Sequence, residues 1–431
     1  MLELGFRMNY RKSVLKNGFR VVVVPLANIK SATVTVWVKS GSRFEESRIN
    51  GISHFLEHMV FKGSKKRPTA KAIAEAVDAI GGDFNAATSK DWTNFYIKAR
   101  SAHLERAFDV LSDMVLNPVL SAEEIEKEKG VIIEELAMYE DTPMLRIGEV
   151  FEQLIFKDTP LGNDVGGTAK TVASIKKEDF IRYRNKHYYA ENMLITVAGK
   201  IKADEVLRLA ELYFKDLKER KKSQEPKVLK LVQKRPQVKL YPKKKEQAHF
   251  ILGFRGNPRG YKGRFAEAIL SVILGSGMSS RLFTEVRERR GLAYAVKTSI
   301  ERYEDTGYLA SYAGVDTKRI DEAIKVILDQ EYGLGSGRYP ISAVELEKAK
   351  EYLKGHIALA LEDTKAVNEF FGETELFLKK IEIPEEVFSQ IDKVKIEDVM
   401  TEARKLFRPE NLNLAIIGPY DSESRFEKVI R

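Results

Sequence analysis

The chain has 431 residues, with 72 Lys and Arg against 63 Asp and Glu, a formal net charge of +9 and no Cys. Such a length exceeds one ordinary core and points to roughly two to four domains, while the missing Cys excludes disulfides and thiolate metal sites and leaves imidazole and carboxylate as the ligand chemistry. No run approaches the roughly 18 apolar residues of a membrane span, and the N-terminus lacks the apolar stretch of a secretory signal, with Met8 an alternative start, so a cytoplasmic protein is expected.

In chain order, Asn17-Gly18 between VLK and FRVVVVP signals a hairpin. SATVTVWV at 31–38 alternates as a strand, with Val34, Val36 and Val38 on one face. GISHFLEHMVFKG at 51–63 reads as a helix in which His54 and His58, four residues apart, stand one above the other and can reach a single ion. Glu57 beside them can act on water at that ion, the arrangement used in metal-assisted hydrolysis. The order HxxEH inverts HExxH and marks a separate class of zinc peptidase. With six His in the whole chain, composition does not readily produce this string, although an amphipathic helix packed through Phe55, Leu56, Met59 and Val60 would carry the same apolar positions.

TAKAIAEAVDAI at 69–80 is a second helix, stopped by Gly81-Gly82, and FNAAT and WTNFYIKA follow as strands. The stretch 121–140 opens with Ser121 as N-cap and Glu124 three residues later, a capping box. On that helix Glu128 and Glu135 are two turns apart and share a face with Glu124, whereas Glu134 lies about 100° away. Taken alone, a Glu-rich helix is more often a solvated face.

The HxxEH helix, the 76 residues between His58 and Glu135, and the Glu128/Glu135 pair together resemble the pitrilysin or inverzincin family (M16) of zinc metallopeptidases. The resemblance implies one Zn²⁺ per chain held by His54, His58 and Glu135, Glu57 as general base, and Glu128 supporting the ligands from outside the ion. It also implies that Asn85 and Ala86 lie on an edge strand that receives substrate as an added strand, although Asn85 fits a turn beside Gly81-Gly82 equally well. Arg287 and Tyr294, seven residues apart after the Gly-rich turn LGSGMSSRLF, are implied to hold substrate and to donate to the tetrahedral oxyanion. Without a metal site they read as a surface Arg and a core Tyr. The lone GxG of that turn carries no nucleotide signature.

The chain repeats itself. Residues 175–199 align with 394–418, 104–114 with 320–330, and 120–130 with 341–351. Two homologous domains are therefore expected, 1–216 with the metal and 247–431 without it, joined by a basic, Pro-containing linker at 217–246. At the offset that aligns the acidic helices, Glu128 falls on Ala349 and Glu135 on His356, so the second half cannot hold the ion. Each half is expected to be α+β, a mostly antiparallel sheet with helices packed on one face.

These features predict a zinc-dependent endopeptidase that hydrolyses unfolded or short peptides in a clamshell chamber. The resemblance further implies a homodimer, because the family's single-chain peptidases carry twice as many domains. The alternative is a non-catalytic structural or assembly subunit of the same family, which would be expected to lose motif residues that are intact here. No nucleic-acid motif accompanies the basic runs, and neither nucleic acid nor membrane is expected as a partner.

Overall fold

The hairpin signalled by Asn17-Gly18 is formed: β1 (Arg11–Val14) and β2 (Arg20–Pro25) pair antiparallel. They begin a six-stranded sheet completed by β3 (Ser31–Val38), β4 (Asp83–Thr88), β5 (Thr93–Arg100) and β6 (Met193–Gly199) in the order β1-β2-β6-β3-β5-β4. Only the β2–β6 pairing is parallel. β4 ends the sheet. The structure, a computed structural model, describes residues 8–220, 229, 232–378 and 380–430.

Five helices matter most for the site and its surroundings: α1 (Ile52–Val60), α2 (Ala70–Asp78), α3 (Leu104–Leu116), α4 (Ala122–Asp141) and α5 (Pro143–Ile155). On one face of the first sheet Val21, Val23, Val34 and Val36 pack with Ile73, Phe108 and Leu111 from α2 and α3, and with Val206 of helix Ala203–Phe214. The other face is covered too. Val22, Val24, Trp37 and Leu194 bury against Val367 and Phe371 of helix Thr364–Phe377. β3 therefore departs from the half-exposed strand that its alternation predicts. Thr33 and Thr35 are buried because that helix hydrogen-bonds them: Thr33 Oγ1 lies 2.7 Å from Thr364 Oγ1, and Asn368 Nδ2 donates to Thr35 Oγ1 at 3.1 Å. Gly372 makes the fit possible, since a Cβ there would stand 2.5 Å from the Trp37 ring.

The second sheet contains β7 (Gln237–Pro242), β8 (Gln247–Gly256), β9 (Ala293–Arg302), β10 (Gly307–Asp316) and β11 (Leu412–Gly418) in the order β7-β11-β8-β10-β9. β7–β11 is its parallel pair. This repeats the order β2-β6-β3-β5-β4 of the first sheet, as the duplicated sequence requires. Ile147, Val150, Phe151 and Ile155 of α5 pack on Tyr308, Tyr312, Ala415 and Ile417 of this sheet.

Both sheets are mixed and each carries helices, the two-domain α+β architecture expected. The boundaries are more interleaved than 1–216 and 247–431. Contacts group Met1–Leu136, Asn163–Lys227 and Ala358–Glu386 in one unit, and Ala137–Gly162, Val228–Ile357 and Val387–Arg431 in the other. Each unit thus includes a helix from the opposite half of the sequence, α5 in one and Thr364–Phe377 in the other, at equivalent positions of the repeat. The expected linker at 217–246 contains β7, which Pro236 just before it and Pro242 at its end disguise. Pro242 is the last residue of a sheet-edge strand, where no ladder hydrogen bond is lost. Residues 221–228, 230 and 231 of that segment lie outside the described residues. Among the described residues no helix is long and apolar enough to cross a membrane.

Candidate metal centre

Within residues 51–60 every position is buried except His54, Glu57 and His58. The reason is packing. Ile52, Phe55, Leu56 and Met59 fill a cluster with Ile125 and Ile132 of α4 and with Phe180 and Tyr183, and this fixes the rotation of α1 and turns the three motif side chains away from the core. The start of α1 is held from outside the helix. Gly51 adopts φ +97, and the buried Glu45 carboxylate accepts from the backbone N–H groups of Gly51 and Ser53 at 2.7 and 2.8 Å. The Ser53 hydroxyl and the Asn50 amide also donate to Glu45. Burial pushes Glu45 up to about 7 against the pull of these donors.

α4 presents Ile125, Glu128, Ile132 and Glu135 along one stripe. Glu134 is exposed, whereas Glu135 is half-buried and directed to the histidines. Glu135 Oε2 lies 3.8 Å from His54 Nε2 and 3.5 Å from His58 Nε2. Among the described residues these three form the one group of His, Asp or Glu side chains that could hold a metal ion, their donor atoms all within 4.8 Å of one another. Donors placed about 2 Å from a tetrahedral ion stand roughly 3.4 Å apart, so the His–Glu separations fit. The protonation states fit as well. Burial, helped by His58, depresses His54 to about 4 and keeps its imidazole neutral at physiological pH. His58 Nδ1 is 2.9 Å from Glu128 Oε1, and donation to that carboxylate leaves Nε2 with a free lone pair. Glu128 itself is buried. Although burial works against its charge, His58 and Lys62, whose Nζ is 2.6 Å from Oε2, hold it below the usual carboxylate range.

Glu57 sits beside the group. Burial raises its carboxyl above the ordinary range, and the Thr88 hydroxyl, donating to Oε2 at 2.5 Å, opposes that rise. Oε1 accepts nothing from a described residue. Thr88 is absent from the sequence reading. The signal was the period of two in β4, where Phe84, Ala86 and Thr88 face inward while Asp83, Asn85 and Ala87 are exposed. Glu45 and Lys62 were missed too, because a carboxylate closing a helix from six residues upstream has no local pattern.

Asn85 and Ala86 lie in an edge strand and not in a turn, and the Ala86 N–H donates to Asn85 Oδ1 at 2.9 Å. Arg287 and Tyr294 come together in the second unit. Arg287 lies on a π-helical turn (Phe283–Glu288), its guanidinium carbon 5.0 Å from the Tyr294 ring centroid and 4.8 Å from that of Phe283, and Tyr294 is 80% exposed.

Comparison with known proteins identifies the family. The family model described as Insulinase (Peptidase family M16) matches residues 20–169, and that described as Peptidase M16 inactive domain matches residues 174–353. A Bacillus subtilis protein named uncharacterized zinc protease YmxG is 37% identical over 413 residues, covering 95% of this chain and 98% of that one. The chain belongs to peptidase family M16. A Rickettsia felis protein named uncharacterized zinc protease is 36% identical over 96% of this M16 chain and 98% of its own length. Among solved structures, a protease from Helicobacter pylori superposes with a TM-score of 0.89 at 24% identity, covering 96% of this chain and all of that one. A chain of Complex III2 from Candida albicans, Inz-5 bound, superposes with a TM-score of 0.84 at 18% identity over 98% of this chain and 100% of that chain. At those identities the likeness concerns the fold alone.

Proposed function

We propose that this M16 chain is a zinc-dependent endopeptidase of unfolded or short peptides, working in the cytoplasm as a homodimer whose halves enclose the substrate. The observation that carries the reading is the convergence of His54, His58 and Glu135 beside a carboxyl that binds none of them. Two imidazoles and one carboxylate are the three-ligand pattern of catalytic zinc, which leaves a coordination position open. A zinc ion held there supplies Lewis acidity toward a carbonyl and makes water a competent nucleophile near neutral pH. Glu57 takes the proton from the attacking water and returns it to the leaving amine. Thr88 holds Oε2 of Glu57 in place, which leaves Oε1 for that exchange. The exposed edge of β4 at Asn85 and Ala86 offers main-chain groups to an extended peptide, a mode that selects unfolded segments. Arg287 anchors a substrate carbonyl, and the Tyr294 hydroxyl donates to the developing oxyanion.

The rival reading, a non-catalytic assembly subunit, draws on the fold shared with the Complex III2 chain. The intact ligand set and Glu57 favour the peptidase. Zinc content measured together with product mapping on an unstructured peptide decides the matter: about one zinc per chain and internal cleavage abolished by a chelator are expected. Metal-free protein that cleaves, or loaded protein that does not, would sink the proposal.

A further inference from the structure

The first unit carries a cleft of about 340 Å³ at which α3, helix Lys177–His187 and helix Ala203–Phe214 all end. Tyr188, Tyr213 and Leu217 give it apolar surface, while Arg184, Asp216 and Lys218 give it charge. None of these residues belongs to the metal group or to the groups assigned to the peptide substrate.

Arg184 is held without a counter-ion. Its Nη2 donates to the Val115 and Leu116 carbonyls at 2.9 and 2.8 Å, which closes the C-terminal end of α3. Its Nε is buried with no hydrogen-bond partner, and Nη1 donates to no described residue. Among the described residues no carboxylate pairs with it, and the Tyr188 ring, its centroid 5.5 Å from the guanidinium carbon, is the nearest compensation. Burial accordingly pulls the guanidinium below its ordinary pKa, opposed only by Tyr188. A charge kept this way costs stability until an anion meets it. The cap does not account for that cost, since a glycine past the last turn ends a helix without burying an ion.

Asp216 and Lys218 are exposed and form no ion pair among the described residues. The cleft therefore sets cations and an acid that do not neutralise one another between two tyrosines. The complement of such a set is a zwitterion: a carboxylate for Arg184 and Lys218, an ammonium for Asp216, and an apolar side chain for the tyrosines. The volume lies at the lower end of ligand sites, roughly 300 to 1,000 Å³, which suits one amino acid better than a peptide of several. We propose that this cleft binds a free α-amino acid with a large apolar side chain, at a site separate from the metal centre.

The test is isothermal titration calorimetry on full-length protein, zinc-loaded and metal-free, with three probes. These are phenylalanine, N-acetylphenylalanine, which lacks the ammonium, and phenylalaninamide, which lacks the carboxylate. Phenylalanine should bind saturably, and each blocked probe at least about tenfold more weakly, the scale of one hydrogen bond to a charged group. Asp216→Asn should erase the penalty for N-acetylphenylalanine alone, and Lys218→Gln should reduce the penalty for phenylalaninamide. Arg184→Met should reduce that second penalty further. Because Arg184 also closes α3, its melting temperature is recorded, and the two exposed substitutions carry the test should that variant unfold. Absence of saturable phenylalanine binding, equal affinity for the three probes, or a preference unchanged in both Asp216→Asn and Lys218→Gln overturns the site. Binding that vanishes on removal of zinc would belong to the metal centre and overturns it as well.

Discussion

Glu57 and Glu135 stand near the same two histidines yet are assigned opposite tasks, and the contacts separate them. Glu135 Oε2 faces both Nε2 atoms, whereas Glu57 Oε2 is engaged by Thr88. Glu57→Gln should therefore keep zinc at the wild-type level and lower kcat by about 10²- to 10⁴-fold, because an amide cannot accept the proton. His58→Ala should lose the metal as well. Thr88→Val should lower kcat with KM and zinc content unchanged, and Thr88→Ser should restore it; a KM effect of equal size would show that Thr88 acts on the edge strand instead. The choice between adjacent acids is equally open to test. Glu135→Ala should weaken zinc binding far more than Glu134→Ala, as measured by competition with a chromogenic chelator, because Glu134 points to solvent. Equal losses would overturn the spacing argument. These residues were legible in the sequence because a helix converts spacing into direction: i, i+4 for the histidines and i, i+7 for the glutamates. Thr88 and Glu45 come to α1 from other segments, and helical spacing says nothing about them.

At the level of elements, local pattern failed where a face is covered by a segment remote in sequence. Thr33, Thr35 and Trp37 read as the outer side of β3, yet all are buried beneath a helix more than 300 residues away, at Thr364–Phe377. Nothing within eight residues of strand can announce that partner. The second unit buries polar groups in the same manner, and one of them yields a pH prediction. Glu331, on helix Ile320–Ser336, accepts at 2.8 Å from Ser311 of β10, which lies 2.9 Å from Thr298 of β9. Its other oxygen has no hydrogen-bond partner, and burial pushes the carboxyl up from 4.5 to about 8. The folded chain thus keeps a proton that the unfolded chain releases, so this group's contribution to stability is complete below the unfolded value and is lost as pH rises toward the folded one. Glu331→Gln, neutral at every pH, should melt near the wild-type temperature at about pH 5 and progressively above it toward about pH 8.5. A melting difference independent of pH would show that Glu331 is ionised in the fold.

For the whole molecule, the metal group belongs to one unit and the Arg287–Tyr294 pair to the other, and the function proposed above requires that the pair meet a metal, of the same copy or of another. The resemblance implies that in the longer M16 peptidases two two-domain halves close on each other. This chain holds two domains, and it covers 98% of the length of its Bacillus relative, so that relative offers no additional half. The expected assembly is a homodimer in which Arg287 and Tyr294 of the partner subunit complete each zinc site. Complementation tests it. Glu57→Gln and Tyr294→Phe are each expected to be nearly inactive alone. If sites form between subunits, a mixed dimer contains one doubly damaged site and one intact site, and an equimolar mixture with free exchange should recover about a quarter of wild-type activity. If the site is built within one chain, every site in the mixture keeps one defect and no activity returns. Subunit exchange must be followed independently, for example by energy transfer between labelled copies, so that a lack of recovery reports the architecture of the site. A catalytically active monomer would settle the question the same way, in favour of a site made by one chain.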